Sequence, residues 1–364
     1  MKINELTTFL EAQFPLDFQE DYDNSGLIIG DKNQTISSVL LCFDITEDIV
    51  DEAIEKQCNL IISHHPIIFS GLKKITGKNY VERIVIKAIQ NNIAIYSAHT
   101  NLDSAQGGIN TKICEKIGLS NCKVLSPKTD FLKKIVTFAP IQDAEKVRQA
   151  LFGAGGGKIG DYDFCSYNIE GIGSFRASES ANPYVGEKGK IHFEKEVRVE
   201  TIFPKYLQSQ IIEALLNAHP YEEVAYDIYP LDNLYEKAGM GMIGELKDSI
   251  DEISFLKKLK SDFNVNTVRH SELLGKKIRK VAVCGGSGSF LLKNAIAASA
   301  DIFVSGDFKY HEFFDAEKKI LIADIGHFES EQIAINIFYD LLTKKFSNFA
   351  VFLSGKNLNP INYY

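Results

Sequence analysis

The six cysteines of this chain (Cys42, Cys58, Cys114, Cys122, Cys165 and Cys284) form no CxxC and no other paired spacing. That argues against both a zinc ribbon and a disulfide framework. In apolar strand-like or helical runs a free thiol packs as a small hydrophobe, which fits a reducing interior. No apolar stretch approaches the ~18 residues needed to span a bilayer. The opening Met1-Lys2-Ile3-Asn4-Glu5-Leu6 has no apolar signal core, so a cytoplasmic location is expected. Positive charge is not in excess either. The net charge is -8, which argues against a nucleic-acid partner held on a broad basic face. A small anionic substrate stays open, because a metal centre brings its own positive charge.

What is there is ordinary globular material, 45% apolar and 24% charged, in a chain longer than one core usually serves. Two domains are therefore expected, with no tandem repeat or low-complexity tract. Through residue 126 helical and strand patterns alternate. Residues 2–13 read as an amphipathic helix, and Val39–Phe43 as a strand ending at Asp44. A helix through Val50–Ile54, the strand Asn59–Ser63, a helix over 78–91 and the strand Ile93–Tyr96 follow. Such units imply a mainly parallel sheet covered by helices. Residues 127–236 read instead as strand, helix, two strands around a polar loop near 174–190, helix and strand, the ferredoxin-like order. From 237 the strand–helix alternation resumes to residue 364. The expected fold is one α/β domain, built from 1–126 and 237–364, split by an inserted ferredoxin-like α+β domain.

Chemistry concentrates at strand ends. His64-His65 follow one strand, Asp103 follows the next, and His327 and Glu331, spaced four apart, follow another near the end of the chain. In open α/β sheets ligands collect at the carboxyl ends of strands. Consecutive histidines in a loop diverge, which suits two neighbouring cations. Glu331 would bridge them and Asp103 would be terminal, at the about 3.5–4 Å separation of two-metal sites. With imidazole and carboxylate but no thiolate, zinc, iron, manganese or cobalt could bind. Each feature also has a plainer reading: packed or surface histidine, a solvated helical pair, a turn-capping aspartate. Their shared position at strand ends is what favours a site. His99 is a candidate general acid/base. Asp307 with His311 is a candidate pair for orienting a ligand or shuttling a proton. Gly285-Gly286-Ser287-Gly288-Ser289 would cradle an anion on its amides or simply form a tight turn. Lys73 and Lys74 would meet a substrate phosphate or sit in a solvated loop. His192, His219 and His270 read as structural or exposed.

Asp23-Asn24-Ser25-Gly26-Leu27, Ser63-His64-His65-Pro66, His99-Thr100-Asn101-Leu102-Asp103, Gly306-Asp307 to His311 and Gly326-His327 to Glu331 resemble, in order, the motifs of the GTP cyclohydrolase 1 type 2 homologs. This family is also called NIF-three-like. The central stretch resembles the PII/CutA-like insert of its longer members, whose signature is similar to Ala218-His219-Pro220-Tyr221-Glu222-Glu223. The resemblance implies a dinuclear site, with His64, Asp103 and Glu331 on one ion and His65, His327 and the bridging Glu331 on the other. It also implies a ring-shaped homohexamer whose cavity the sites face. Two positions depart from the family pattern. Met242 stands where many relatives have an arginine, and Tyr22 where tryptophan is frequent.

Two functions compete. One is a hydrolase with two divalent cations per subunit, zinc foremost, acting on GTP or another small anionic, nucleotide-like substrate. The other is a non-catalytic metal-binding or regulatory assembly in which the insert senses a small molecule or partner.

Overall fold

The computed structural model describes residues 1–347, 349–356 and 359–362. The chain divides into two compact units, 1–127 with 236–364, and 128–235.

The outer unit contains two sheets where the sequence suggested one. The first runs Gly26–Ile29, Ala94–Ser97, Leu60–Ser63, Ser38–Cys42, Ala350–Leu353. Its last four strands are mutually parallel, and Gly26–Ile29 adds an antiparallel edge. Every residue of Ser38–Cys42, Leu60–Ser63 and Ala94–Ser97 is buried, as expected of parallel strands covered on both faces. The helix Glu47–Glu55 starts at Thr46, whose hydroxyl accepts the Ile49 N–H. The helix Tyr80–Gln90 starts at Asn79, capped the same way from Glu82. Such caps satisfy first-turn amides that have no partner within the helix. Both helices press Ile49, Val50, Ala53, Ile84, Val85 and Ala88 into one core with Leu40, Ile61 and Ile95.

The second sheet is ordered Arg269–His270, Leu321–Asp324, Ile302–Gly306, Lys277–Ser287, Tyr235–Asp251, Ser120–Lys128. Its three central strands are parallel, and Arg269–His270 and Tyr235–Asp251 join them antiparallel. The sheets separate because residues from 237 onward pair among themselves and with Ser120–Lys128. Among the described residues only Ala350–Leu353 returns from that segment to the first sheet.

The unit 128–235 forms one antiparallel sheet, ordered Tyr167–Arg176, Ile191–Pro204, Leu132–Pro140, Tyr226–Leu231. The helices Ala144–Gly153 and Gln208–Ala218 supply Val147, Leu151, Ile211 and Leu215 to a core with Ile135, Ala139, Val199 and Phe203. The glycine-rich stretch after the first helix is tied down. Gly156 N–H donates to Leu151 O, Gly157 N–H to Ile202 O, and Gly157 O accepts from Cys165 N–H. No helix among the described residues is long and apolar enough to cross a membrane.

Candidate metal centre

Strands of both outer sheets end around a single carboxylate, Glu331, whose side chain is 4% exposed. The strand Leu60–Ser63 runs directly into His64 and His65, and Leu321–Asp324 leads to the short helix His327–Glu331. Asp103 lies on the helix Thr100–Ser104, just past the strand Ala94–Ser97. Glu331 Oε2 is 3.5 Å from His64 Nε2, 3.4 Å from His65 Nε2 and 2.9 Å from His327 Nε2. Asp103 Oδ1 is 3.8 Å from His64 Nε2.

Each imidazole is aimed by its other nitrogen. His64 Nδ1 is 2.9 Å from the Ala98 carbonyl, which only accepts, so its proton sits on Nδ1 and its Nε2 lone pair faces Glu331. His65 Nδ1 meets Asp44 Oδ1 at 2.7 Å, and His327 Nδ1 meets Asp307 Oδ2 at 2.7 Å. Ser287 donates its hydroxyl to the same Asp307 oxygen.

His64 Nε2, Asp103 Oδ1 and Glu331 Oε2 are buried with no hydrogen-bond partner. Such atoms are costly to bury unsatisfied. Here all are electron-pair donors converging on one another, an arrangement whose repulsion a cation, or protons on the neighbouring imidazoles, must relieve. Potential ligand atoms of His64, Asp103 and Glu331 lie within 4.8 Å of one another, as do those of His65, His327 and Glu331. The donor set therefore fits a metal ion.

Without a cation, protons take that place. Burial pulls His64 down to about 4. Burial also opposes charge on His65, but Asp44 and Glu331 outweigh it and push His65 up to about 10. His327 rises to about 9 because Glu331 and Asp307 overcome its burial. Burial and the charge of Glu331 raise the Asp103 carboxyl well above its usual range. Burial works against ionised Glu331, yet the three imidazoles hold it well below.

His99 stands at the edge of this group, a ring nitrogen within 4.8 Å of those of His64 and His65. Its Nδ1 meets Asp23 Oδ1 at 2.6 Å, leaving Nε2 available. Asp23 also accepts the Thr100 amide and hydroxyl. Burial opposes its charge, but His99 and Thr100 hold its carboxyl well below the usual range. From His99 a run of rings leads outward: Phe69 lies 6.1 Å from His99, and Tyr22 lies 6.2 Å from Phe69. Tyr22 is 61% exposed and Phe69 49%.

Of the residues chosen from the sequence, His64, His65, His99, Asp103, His327 and Glu331 come together. His311 does not join them; it is exposed on the turn Tyr310–Ala316, against Tyr310 and Phe314. Of the two readings of 285–289, the hydrogen bonds favour the tight turn. Gly285, Gly286 and Gly288 spend their amides on Asn110, Ser330 and Ser305. The glycines instead make room: a Cβ on Gly286 would fall 2.1 Å from Glu331 Oε1, at a φ of +61°. Met242 is 9% exposed, with its sulfur 3.5 Å from Thr111 Oγ1, and brings no charge. Sequence reasoning placed Asp44 at a strand end and Asp23 at the head of a motif but gave neither a role at the site.

The family described as Duf34/NIF3 (NGG1p interacting factor 3) matches residues 1–360. The chain is 38% identical over 365 residues to a GTP cyclohydrolase 1 type 2 homolog of Bacillus subtilis, covering 99% of this chain and 98% of that relative. It is 42% identical over 319 residues to a namesake from Halalkalibacterium halodurans, covering 87% and 86%. Among solved structures, a Bacillus cereus protein related to NIF3 superposes with a TM-score of 0.86 at 38% identity, over 100% of this chain and 99% of that one. A Staphylococcus aureus protein, SA1388, does so with 0.78 at 29% identity, over 100% and 99%. The chain belongs to the Duf34/NIF3 family of GTP cyclohydrolase 1 type 2 homologs.

Proposed function

We propose that this protein is a hydrolase with two divalent cations per subunit, acting on a nucleotide-like, small anionic substrate such as GTP. The observation that carries it is the trio of buried, unpartnered donor atoms on His64, Asp103 and Glu331. His64, Asp103 and Glu331 would hold one ion, and His65, His327 and Glu331 the other. Zinc heads the imidazole–carboxylate candidates, ahead of iron, manganese and cobalt. Bound there, the ions would supply Lewis acidity and bring the pKa of water toward neutrality.

The chain's own groups do the rest. Asp44, Asp307 and the Ala98 carbonyl fix the three imidazoles. His99, oriented by Asp23, presents its free nitrogen to exchange a proton with the leaving group. Tyr22 and Phe69 offer exposed ring faces on the approach to His99, which favours a substrate with a planar ring, since bases stack on aromatic side chains. The exposed His311 has no part in this proposal.

The same reading takes residues 1–126 and 237–364 as the catalytic α/β domain and 127–236 as a ferredoxin-like, PII/CutA-like insert. The antiparallel strand order and one-sided helices of that unit support it. It also takes the assembly as a homohexamer, which light scattering would test. Metal-loaded protein, purified without chelator, is expected to turn over GTP or a related nucleotide, with turnover abolished in His65→Ala. Metal-loaded wild type inert across a nucleotide and phosphoester panel would refute the reading.

A further inference from the structure

The unit 128–235 contains a half-open cavity of about 720 Å³, lined in part by residues of the connection 177–184 and of the stretch 221–225. At its wall lies Glu196, only 8% exposed. One of its carboxylate oxygens accepts the Tyr221 hydroxyl at 2.9 Å. The other lies over Gly173, where a Cβ would stand 2.1 Å away. A side chain at Gly173 would displace the carboxylate.

No Lys, Arg or His among the described residues forms an ion pair with Glu196. Arg198 and Arg176 line the same cavity without pairing with Glu196, and Arg198 gives its Nε to Glu200 at 2.8 Å. A carboxylate this deeply buried is unfavourable without a countercharge. Around it stand aromatic rings, with Phe175 and Tyr184 each 6.1 Å from Tyr221. Tyr221 is itself locked, its N–H donating to His219 Nδ1, while His219 Nε2 meets the Phe138 carbonyl. The two stretches are tied where Asn182 N–H donates to Glu222 Oε1. Aromatic rings beside a buried carboxylate that makes no ion pair are the recognition chemistry of organic cations.

We propose that this cavity binds a small organic ammonium ion with an apolar body, its nitrogen against Glu196 and its body against Tyr221, Phe175 and Tyr184. The proposal is independent of the metal centre. It gives the Ala218–Glu223 signature a role: His219 and Tyr221 position the acidic group.

Calorimetric titration of the full chain with 2-phenylethylammonium and tetramethylammonium chlorides tests it, with 2-phenylethanol and phenylacetate as controls. Saturable ammonium binding is expected, at least about tenfold tighter than for the controls. Glu196→Gln should weaken it about tenfold or more, the exposed-ring variant Tyr184→Ala should weaken it too, and His65→Ala should leave it unchanged. Should Glu196→Gln fail to fold, Tyr184→Ala decides. Absence of saturation, equal binding of the alcohol, or ammonium binding unaltered in the folded variants would overturn the proposal. So would preferential phenylacetate binding lost in Arg176→Gln, because Arg176 also lines the cavity.

Discussion

At the scale of single residues, the centre depends on groups that never reach its middle. Asp44 and Asp307 hold His65 and His327 through Nδ1, fixing tautomer and ring orientation and raising ligand basicity. Replacing either with Asn is expected to leave the fold intact and weaken metal binding by about 10–100-fold, the usual range for such partners. Competition titration against a chelator would measure it, and unchanged affinity in both variants would refute the aiming role. Gly286→Ala is expected to lower metal occupancy more severely. Its Cβ would stand 2.1 Å from Glu331 Oε1, and its φ of +61° disfavours any side chain. Elemental analysis of the purified variant reads this directly. The cluster was legible because histidine pairs and a helical His-Glu pair at strand ends are uncommon company. Asp44 and Asp23 were not, since an aspartate beside a strand is ordinary turn chemistry until its partner imidazole is placed beside it. The glycines of 285–288 left two readings open for a related reason. A pattern of small residues records that something approaches closely, without saying whether it is an anion or the protein's own glutamate.

At the scale of elements, the strands that carry the clustered histidines were the most readable. Leu60–Ser63 is buried throughout and bounded by histidines and a proline, so its apolar run needed no partner to identify it. The edge strand Gly26–Ile29 and the two-residue Arg269–His270 were invisible, because an edge is defined by what it pairs with rather than by its own pattern. The strand–helix alternation expected after residue 237 does not by itself say that the strand Ala350–Leu353 returns to the first sheet. Glu52 explains that return. From the helix Glu47–Glu55 it accepts the Ser354 hydroxyl at 2.5 Å and the Gly355 amide at 3.0 Å, and it pairs with Lys56 at 2.7 Å. Burial opposes its charge, yet these partners lower its pKa to about 2, against about 4.5 in an unfolded chain. The stabilisation is therefore fully present above pH 4.5 and is lost as pH falls toward 2. Amide exchange at 350–353 is expected to accelerate across that window in wild type. In Glu52→Gln it should already be fast at neutral pH, and protection equal to wild type would refute the anchor.

At the scale of the whole chain, the centre closes a long loop, since His65 and His327 stand 262 residues apart in sequence and 3.3 Å apart at their Nε2 atoms. Cations binding only the folded arrangement would add about 2.7 kcal/mol per site at a hundredfold excess over Kd, so chelation should lower Tm. The pH dependence is more discriminating. In the metal-free protein His65 and His327 titrate near 10 and 9, above the 6.5 of an unfolded histidine. Their charged forms thus stabilise the fold fully below about pH 6.5, and that contribution disappears as pH rises through 9 and 10. Chelated protein should lose Tm over this range, and metal-loaded protein should not, because bound cations replace those protons. Metal uptake at pH 7.5 is accordingly expected to release about two protons from the imidazoles, with a further one where Asp103 ionises. Calorimetry in two buffers of different ionisation enthalpy counts them. Uptake with no proton release would mean that the cations bind elsewhere, and the convergence of these two distant segments would then need another explanation.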